Sequence, residues 1–119
     1  ELLLARDRMG EKPLHYAPLP DGGLAFASEI GALLALPEVS RRHDPAAIED
    51  FLALGYIPDP ATAYAGIRRL PAAHLLLQRR GEALAPEPRR YWSVPRSAGP
   101  LLDAAPAELA ARLGDAVRG

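Results

Sequence analysis

The chain has 119 residues, 49% hydrophobic and 24% charged, a balance that fits one folded domain and excludes a disordered or low-complexity protein. A formal net charge of -1 provides no basic field for nucleic acid or an anionic membrane surface. No cysteine is present, which excludes disulfides, thiolate metal sites and a cysteine nucleophile within these residues and fits a reducing compartment.

Leu2–Ala5 reads as a short buried strand, too short to cross a membrane and lacking the basic flank of a signal peptide. Arg6–Pro13 is a polar turn segment punctuated by Gly10 and Pro13. Leu14–Ala17 and Leu24–Ala27 read as strands joined by a hairpin with Asp21-Gly22-Gly23 at its tip. The simplest arrangement is an antiparallel meander of three strands. At Ser28 the period changes. Ser28 is placed to cap a short helix and Glu29 to put negative charge in its first turn. Ile30, Leu33 and Leu34 share one face of that helix, and Pro37 ends it. Asp44 and Pro45 form a second helix start, with Ile48, Phe51, Leu52 and Leu54 as its apolar side and Gly55 as its stop.

Tyr56–Leu70 contains Pro58, Pro60 and Gly66 and reads as an ordered loop. His74–Gln78 reads as a strand, Arg79–Glu82 as a turn, and Ala83–Ala85 and Arg89–Trp92 as further short strands. Ser93–Pro106 has a linker composition. Pro106–Val117 has a helical stripe of Leu109, Leu113 and Val117. The chain opens on Glu1 with an apolar run behind it and closes just after this helical pattern, so an internal segment of a longer protein is expected.

Two blocks carry a family resemblance. The first is Arg6, Asp7, Gly10, Lys12, Pro13, Leu14, His15 and Tyr16, followed by Phe26, Ala27, Ser28, Glu29, Ala32 and Leu33. It resembles class II glutamine amidotransferase domains. The second runs through Phe51, Leu52, Gly55, Tyr56, Ile57, Pro58, Pro60, Thr62, Tyr64, Gly66, Ile67, Arg69, Leu70, Pro71 and His74. It narrows the resemblance to glutamine-hydrolysing asparagine synthetases, and Arg90-Tyr91-Trp92 is similar to the close of their amidotransferase domain.

The resemblance implies an α+β fold: the C-terminal part of an N-terminal-nucleophile α/β/β/α sandwich over residues 1–92, a linker over 93–105, and the first helix of an ATP-pyrophosphatase-type synthetase domain over 106–119. It implies a cytoplasmic ligase, able to form a homodimer, that takes glutamine, aspartate and ATP with Mg2+. Ammonia from glutamine would cross a tunnel and attack an aspartyl adenylate. The family's nucleophilic cysteine, its glutamine-binding residues and its pyrophosphate loop have no counterparts among these residues, so no residue here is assigned as catalytic, cofactor-binding or metal-binding. Two alternatives remain: a related amidotransferase acting on another carboxylic acid, and a non-catalytic interaction domain.

Six residues are candidates for the domain interface or the ammonia tunnel. Arg6, Asp7 and Lys12 would fix the loop near the glutamine site, with Asp7 or a backbone carbonyl as the natural partner of Arg6. The alternative is a turn held by its own hydrogen bonds. Ser28 and Glu29 would either cap a helix or, for Glu29, face the synthetase domain. Ile30 would line an apolar tunnel, since water would protonate ammonia and a cation would bear a desolvation cost. Of the histidines, His15 stands where tyrosine is common in the family, which suggests stacking or hydrogen bonding, and His43 is expected at the surface. His15, His43 and His74 have no metal-ligand spacing. Glu49 and Asp50 point to different sides of a helix, and Asp59 between two prolines reads as a rigid turn residue.

Overall fold

The computed structural model describes residues 1–79, 87–95 and 105–118. In chain order the elements are β1 (Leu2–Ala5), β2 (His15–Pro18), β3 (Leu24–Ala27), α1 (Ile30–Leu34), α2 (Pro45–Leu54), β4 (Arg68–Arg69), β5 (His74–Gln78), β6 (Arg89–Arg90) and α3 (Ala105–Arg118). They form an α+β fold with two three-stranded antiparallel sheets, ordered β1-β5-β6 and β3-β2-β4.

The expected hairpin between β2 and β3 is present. Leu19 N donates to the Gly23 carbonyl at 2.9 Å, and Gly22 takes φ +81° at the tip. The expected meander is not. β1 pairs with β5, setting Leu4 opposite Leu76, and it has no ladder with β2. The reason lies in the side chains. Leu4 and Leu76 on one sheet and Tyr16 on the other are all buried, and they share a core with Leu70 and the flanking Leu2, Leu14 and Leu24. β1 and β2 therefore meet face to face as two layers instead of edge to edge. Arg6–Pro13 is the crossover between layers.

The second sheet is covered on its other face. Ala17 of β2 and Ala25 of β3 pack with Leu33 of α1, Val39 and Ile67. Tyr16 and Ala17 thus serve opposite faces of one strand, as strand alternation requires. Stacking gives sheet, sheet and helix, three consecutive layers of an α/β/β/α sandwich.

The helix ends partly follow the sequence. Asp44 caps α2, its carboxylate accepting from Ala46 N at 3.1 Å, with Pro45 in the first turn and Gly55 closing at φ +79°. Ser28 does not cap α1. The cap position falls on Glu29, which makes no side-chain cap bond, so no acidic residue lies in the first turn. Ser28 sits one residue too early, and its carbonyl is engaged elsewhere, by His15.

Two further expectations shift, and two apolar stripes read from the sequence lie exposed. The apolar side of α2 is open: Ala47 is its buried residue, while Ile48, Phe51, Leu52 and Leu54 are exposed. The Tyr56–Leu70 loop contains β4, which completes the second sheet beside His15 and Tyr16. β6 stops at Arg90, short of the Trp92 expected. The expected C-terminal helix is present as α3, with its stripe exposed at Leu109, Leu113 and Val117. The expected strand at 83–85 lies outside the described residues, as do most of the expected turn and linker.

Candidate functional site

Arg6 follows β1 directly, and its guanidinium organises the crossover. Nε donates to the Lys12 carbonyl at 2.9 Å and Nη2 to the Gly10 carbonyl at 2.8 Å. Nη1 donates to the Leu70 carbonyl at 2.8 Å and to Asp59 Oδ2 at 3.0 Å. A planar fork of fixed donors suits this convergence of three carbonyls and one carboxylate. The partner carboxylate is Asp59 rather than the expected Asp7.

Asp7 closes the same loop from the other side. Its carboxylate accepts from Glu11 N at 2.9 Å and Lys12 N at 3.2 Å, and these bonds hold its pKa below the ordinary aspartate value. Its carbonyl accepts from Ala73 N at 2.9 Å, tying the crossover to the start of β5. Gly10 fits for two reasons. Its φ is +70°, and a Cβ there would lie 3.0 Å from Ala72 Cβ and 3.1 Å from Arg6 Cζ.

The network continues through Asp59, which follows Pro58 and precedes a cis Pro60. Asp59 Oδ1 accepts from Arg69 Nη1 at 3.0 Å. Arg69 Nε in turn reaches His15 Nε2 at 3.4 Å, and His15 Nδ1 lies 3.1 Å from the Ser28 carbonyl. Only one tautomer satisfies both ends: Nδ1–H donates to Ser28, and bare Nε2 accepts from Arg69. Burial lowers the His15 pKa, the Ser28 bond opposes this, and the Arg69 and Arg6 charges lower it further. A neutral imidazole therefore links β4 to the start of α1.

Of the six predicted residues, four belong to this network: Arg6 and Asp7 through their side chains, Lys12 and Ser28 through their backbone. Lys12 contributes its backbone alone, and its side chain is exposed. Glu29 is exposed and its carboxylate makes no bond among the described residues. Ile30 is half-buried against the core shared by α1 and the second sheet. Asp59, Arg69, His15 and Tyr91 complete the site. Tyr91 donates its hydroxyl to the Arg6 carbonyl at 2.7 Å, and Arg8 stacks over Trp92 with 5.6 Å to the ring centroid. The proline-flanked carboxylate at position 59 was the sequence signal for the missing partner. His43 is at the surface, stacked on Tyr64.

The arrangement is a positioning device. Both oxygens of Asp59 are held by arginines, and among the described residues no group of three His, Asp or Glu side chains could hold a metal ion. No described residue is assigned to Mg2+-ATP, and no chemical step is routed through it. Among the described residues no helix is long and apolar enough to cross a membrane.

Residues 1–92 match the family described as glutamine amidotransferase domain. The chain is 41% identical over 101 residues to the glutamine-hydrolysing "Putative asparagine synthetase" of Mycobacterium tuberculosis, covering 82% of this chain and 15% of that protein. It is 35% identical over 95 residues to asparagine synthetase 3 (glutamine-hydrolysing) of Bacillus subtilis, covering 78% of this chain and again 15% of the relative. No solved structure matches. The chain thus spans a small part of the length of these relatives. The match across residues 1–92, which contains the whole Arg6–Asp59–His15 network, places the chain in the glutamine amidotransferase domain family, of the type found in asparagine synthetases.

Proposed function

We propose that the natural protein carrying this chain is a cytoplasmic, ATP-dependent asparagine synthetase that hydrolyses glutamine and uses the ammonia to amidate aspartate. The observation that carries this reading is the identity to two named asparagine synthetases, over 82% and 78% of this chain. In this reading residues 1–92 belong to the glutamine-hydrolysing half and 106–119 open the synthetase domain.

The part played by this chain is geometric. The Arg6 clamp fixes the crossover between the two sheets. The Arg69–His15–Ser28 relay fixes where α1 begins and so where Ile30 stands. Ile30 then forms an apolar wall of the ammonia path, where water is excluded and ammonia stays unprotonated. Lys12 and Glu29 are exposed charges on the clamped segments, suited to hold the synthetase domain against this one.

The test is a stoichiometry. The full-length natural protein, given glutamine, aspartate and Mg2+-ATP, is expected to form glutamate and asparagine in equal amounts, with AMP and pyrophosphate released. Glutamate without asparagine would assign a different acceptor acid. No glutamate at all would overturn the enzymatic reading in favour of an interaction domain.

A further inference from the structure

Tyr16 is 2% exposed, on the inner face of the second sheet. Its hydroxyl has no hydrogen bond among the described residues. Yet no sealed side-chain polar atom there lacks a partner. The hydroxyl therefore opens onto the pocket that Tyr16 lines with Pro18, Ala65, Arg68 and Glu87. Burial raises the Tyr16 pKa, which keeps the hydroxyl a donor. Arg68 stands directly across from Tyr16 in the β2–β4 register. Among the described residues neither Arg68 nor Glu87 forms an ion pair. One cation, one anion and one hydroxyl thus surround the same space without being used on each other. No residue of the Arg6–Asp59–His15 network lines this pocket.

The pocket holds about 450 Å³. Sites for small molecules run from about 300 to 1,000 Å³. The charges decide which molecule. A simple anion meets Glu87, and a simple cation meets Arg68. A neutral ligand would strip water from both charges and return hydrogen bonds without an opposite charge. A molecule carrying both charges satisfies all three groups.

We propose that this pocket binds a free α-amino acid. Its carboxylate lies on the Arg68 guanidinium and the Tyr16 hydroxyl, its ammonium on Glu87, and its side chain against Pro18 and Ala65. The site is separate from the glutamine and aspartate chemistry proposed above and does not depend on it.

Calorimetric titration of the full-length natural protein tests this, with glycine, L-serine and L-leucine as probes. None of these is a substrate of the proposed reaction. Saturable heat is expected with at least one of them. Arg68→Gln and Glu87→Gln are each expected to weaken that binding about tenfold or more. Both side chains are exposed, so the melting temperature should stay unchanged. For the probe that binds, the N-acetyl derivative and the methyl ester should each lose a similar factor. No saturable heat with any probe would overturn the proposal. So would binding that survives either substitution, or acetate binding as well as the amino acid.

Discussion

Arg6 and Asp59 lie 53 positions apart in the chain and meet at 3.0 Å, joining the end of β1 to the cis-proline turn that precedes β4. The Arg6 side chain is 10% exposed and that of Asp59 31%, so the pair is neither sealed nor fully screened. Its larger role is to hold a guanidinium whose other donors satisfy three backbone carbonyls. Arg6→Ala leaves those carbonyls and Asp59 Oδ2 without their donor, Asp59 keeping Arg69 on Oδ1, and is expected to cost about 3 kcal/mol. Asp59→Ala keeps the carbonyl bonds and is expected to cost about 1–2 kcal/mol. Urea unfolding of both variants checks the order. Equal costs would mean that the ion pair, and not the carbonyl set, holds the crossover.

Gly10 and Gly22 separate two causes of glycine use. Both have positive φ, +70° and +81°. A methyl at Gly22 meets nothing within 4 Å, whereas at Gly10 it meets Ala72 and the Arg6 guanidinium. Gly22→Ala is expected to cost about 1 kcal/mol from backbone strain alone. Gly10→Ala adds the close approach and should cost about 2–3 kcal/mol. The difference in urea midpoints between the two variants measures what the Arg6 contact requires.

The limits of sequence reading follow from the range of each interaction. The Asp44–Pro45 start and Gly55 stop of α2 are set by neighbouring residues and were legible. So was the β2–β3 hairpin, whose register is fixed by its turn. The partner of β1 was not. The apolar run Leu2–Ala5 marks a buried strand but not which strand lies beside it, and the answer sits in Leu75–Gln78. The site divided the same way. Arg6 and Asp7 stood out through their spacing with Gly10 and Lys12. Asp59, Arg69 and His15 act together only because the fold brings positions 6, 15, 59 and 69 to one place. A family resemblance fixes the layers without naming that contact. The apolar residues of α2 show the same limit: helical periodicity identifies a stripe but does not supply a surface to cover it.

His15 predicts the direction of acid sensitivity. Its folded pKa is lowered from the ordinary 6.5, so the unfolded chain binds a proton that the folded one resists. Stability should therefore be flat in this contribution above that pH and fall as pH drops through and below it. Protonation places N–H against the Arg69 donor and breaks the Arg69–His15 link, while the bond from Nδ1 to the Ser28 carbonyl is kept. His15→Gln removes the titration. Urea midpoints between pH 7 and pH 5 should decline for the parent and flatten for the variant. Asp7, whose pKa is lowered from 3.8, acts in the same direction but in a separate window, below that value. An identical slope in the parent and His15→Gln would remove His15 from the account.

Ile30 tests the proposed ammonia path. Ile30→Ser puts a hydroxyl where an apolar wall is proposed, inviting water and protonation of ammonia. Glutamate release should continue near its normal rate, while asparagine formed per glutamate falls several-fold. Supplying ammonium directly at high concentration should restore asparagine formation, because the synthetase site is untouched. A variant that keeps the equal yield would place the path elsewhere.

Two candidate helix caps give opposite expectations from similar sequence signals. Asp44 accepts from Ala46 N at 3.1 Å, so Asp44→Ala removes a made bond and should cost about 1 kcal/mol. Ser28 stands before α1 but makes no cap bond, and its contribution to His15 is a backbone carbonyl that any residue supplies. Ser28→Ala should stay within about 0.5 kcal/mol of the parent. Measured together by urea unfolding, the two alanine variants distinguish capping seen in the fold from capping inferred from residue type. A cost at Ser28 matching that at Asp44 would restore the serine as the cap and move the start of α1 back by one residue.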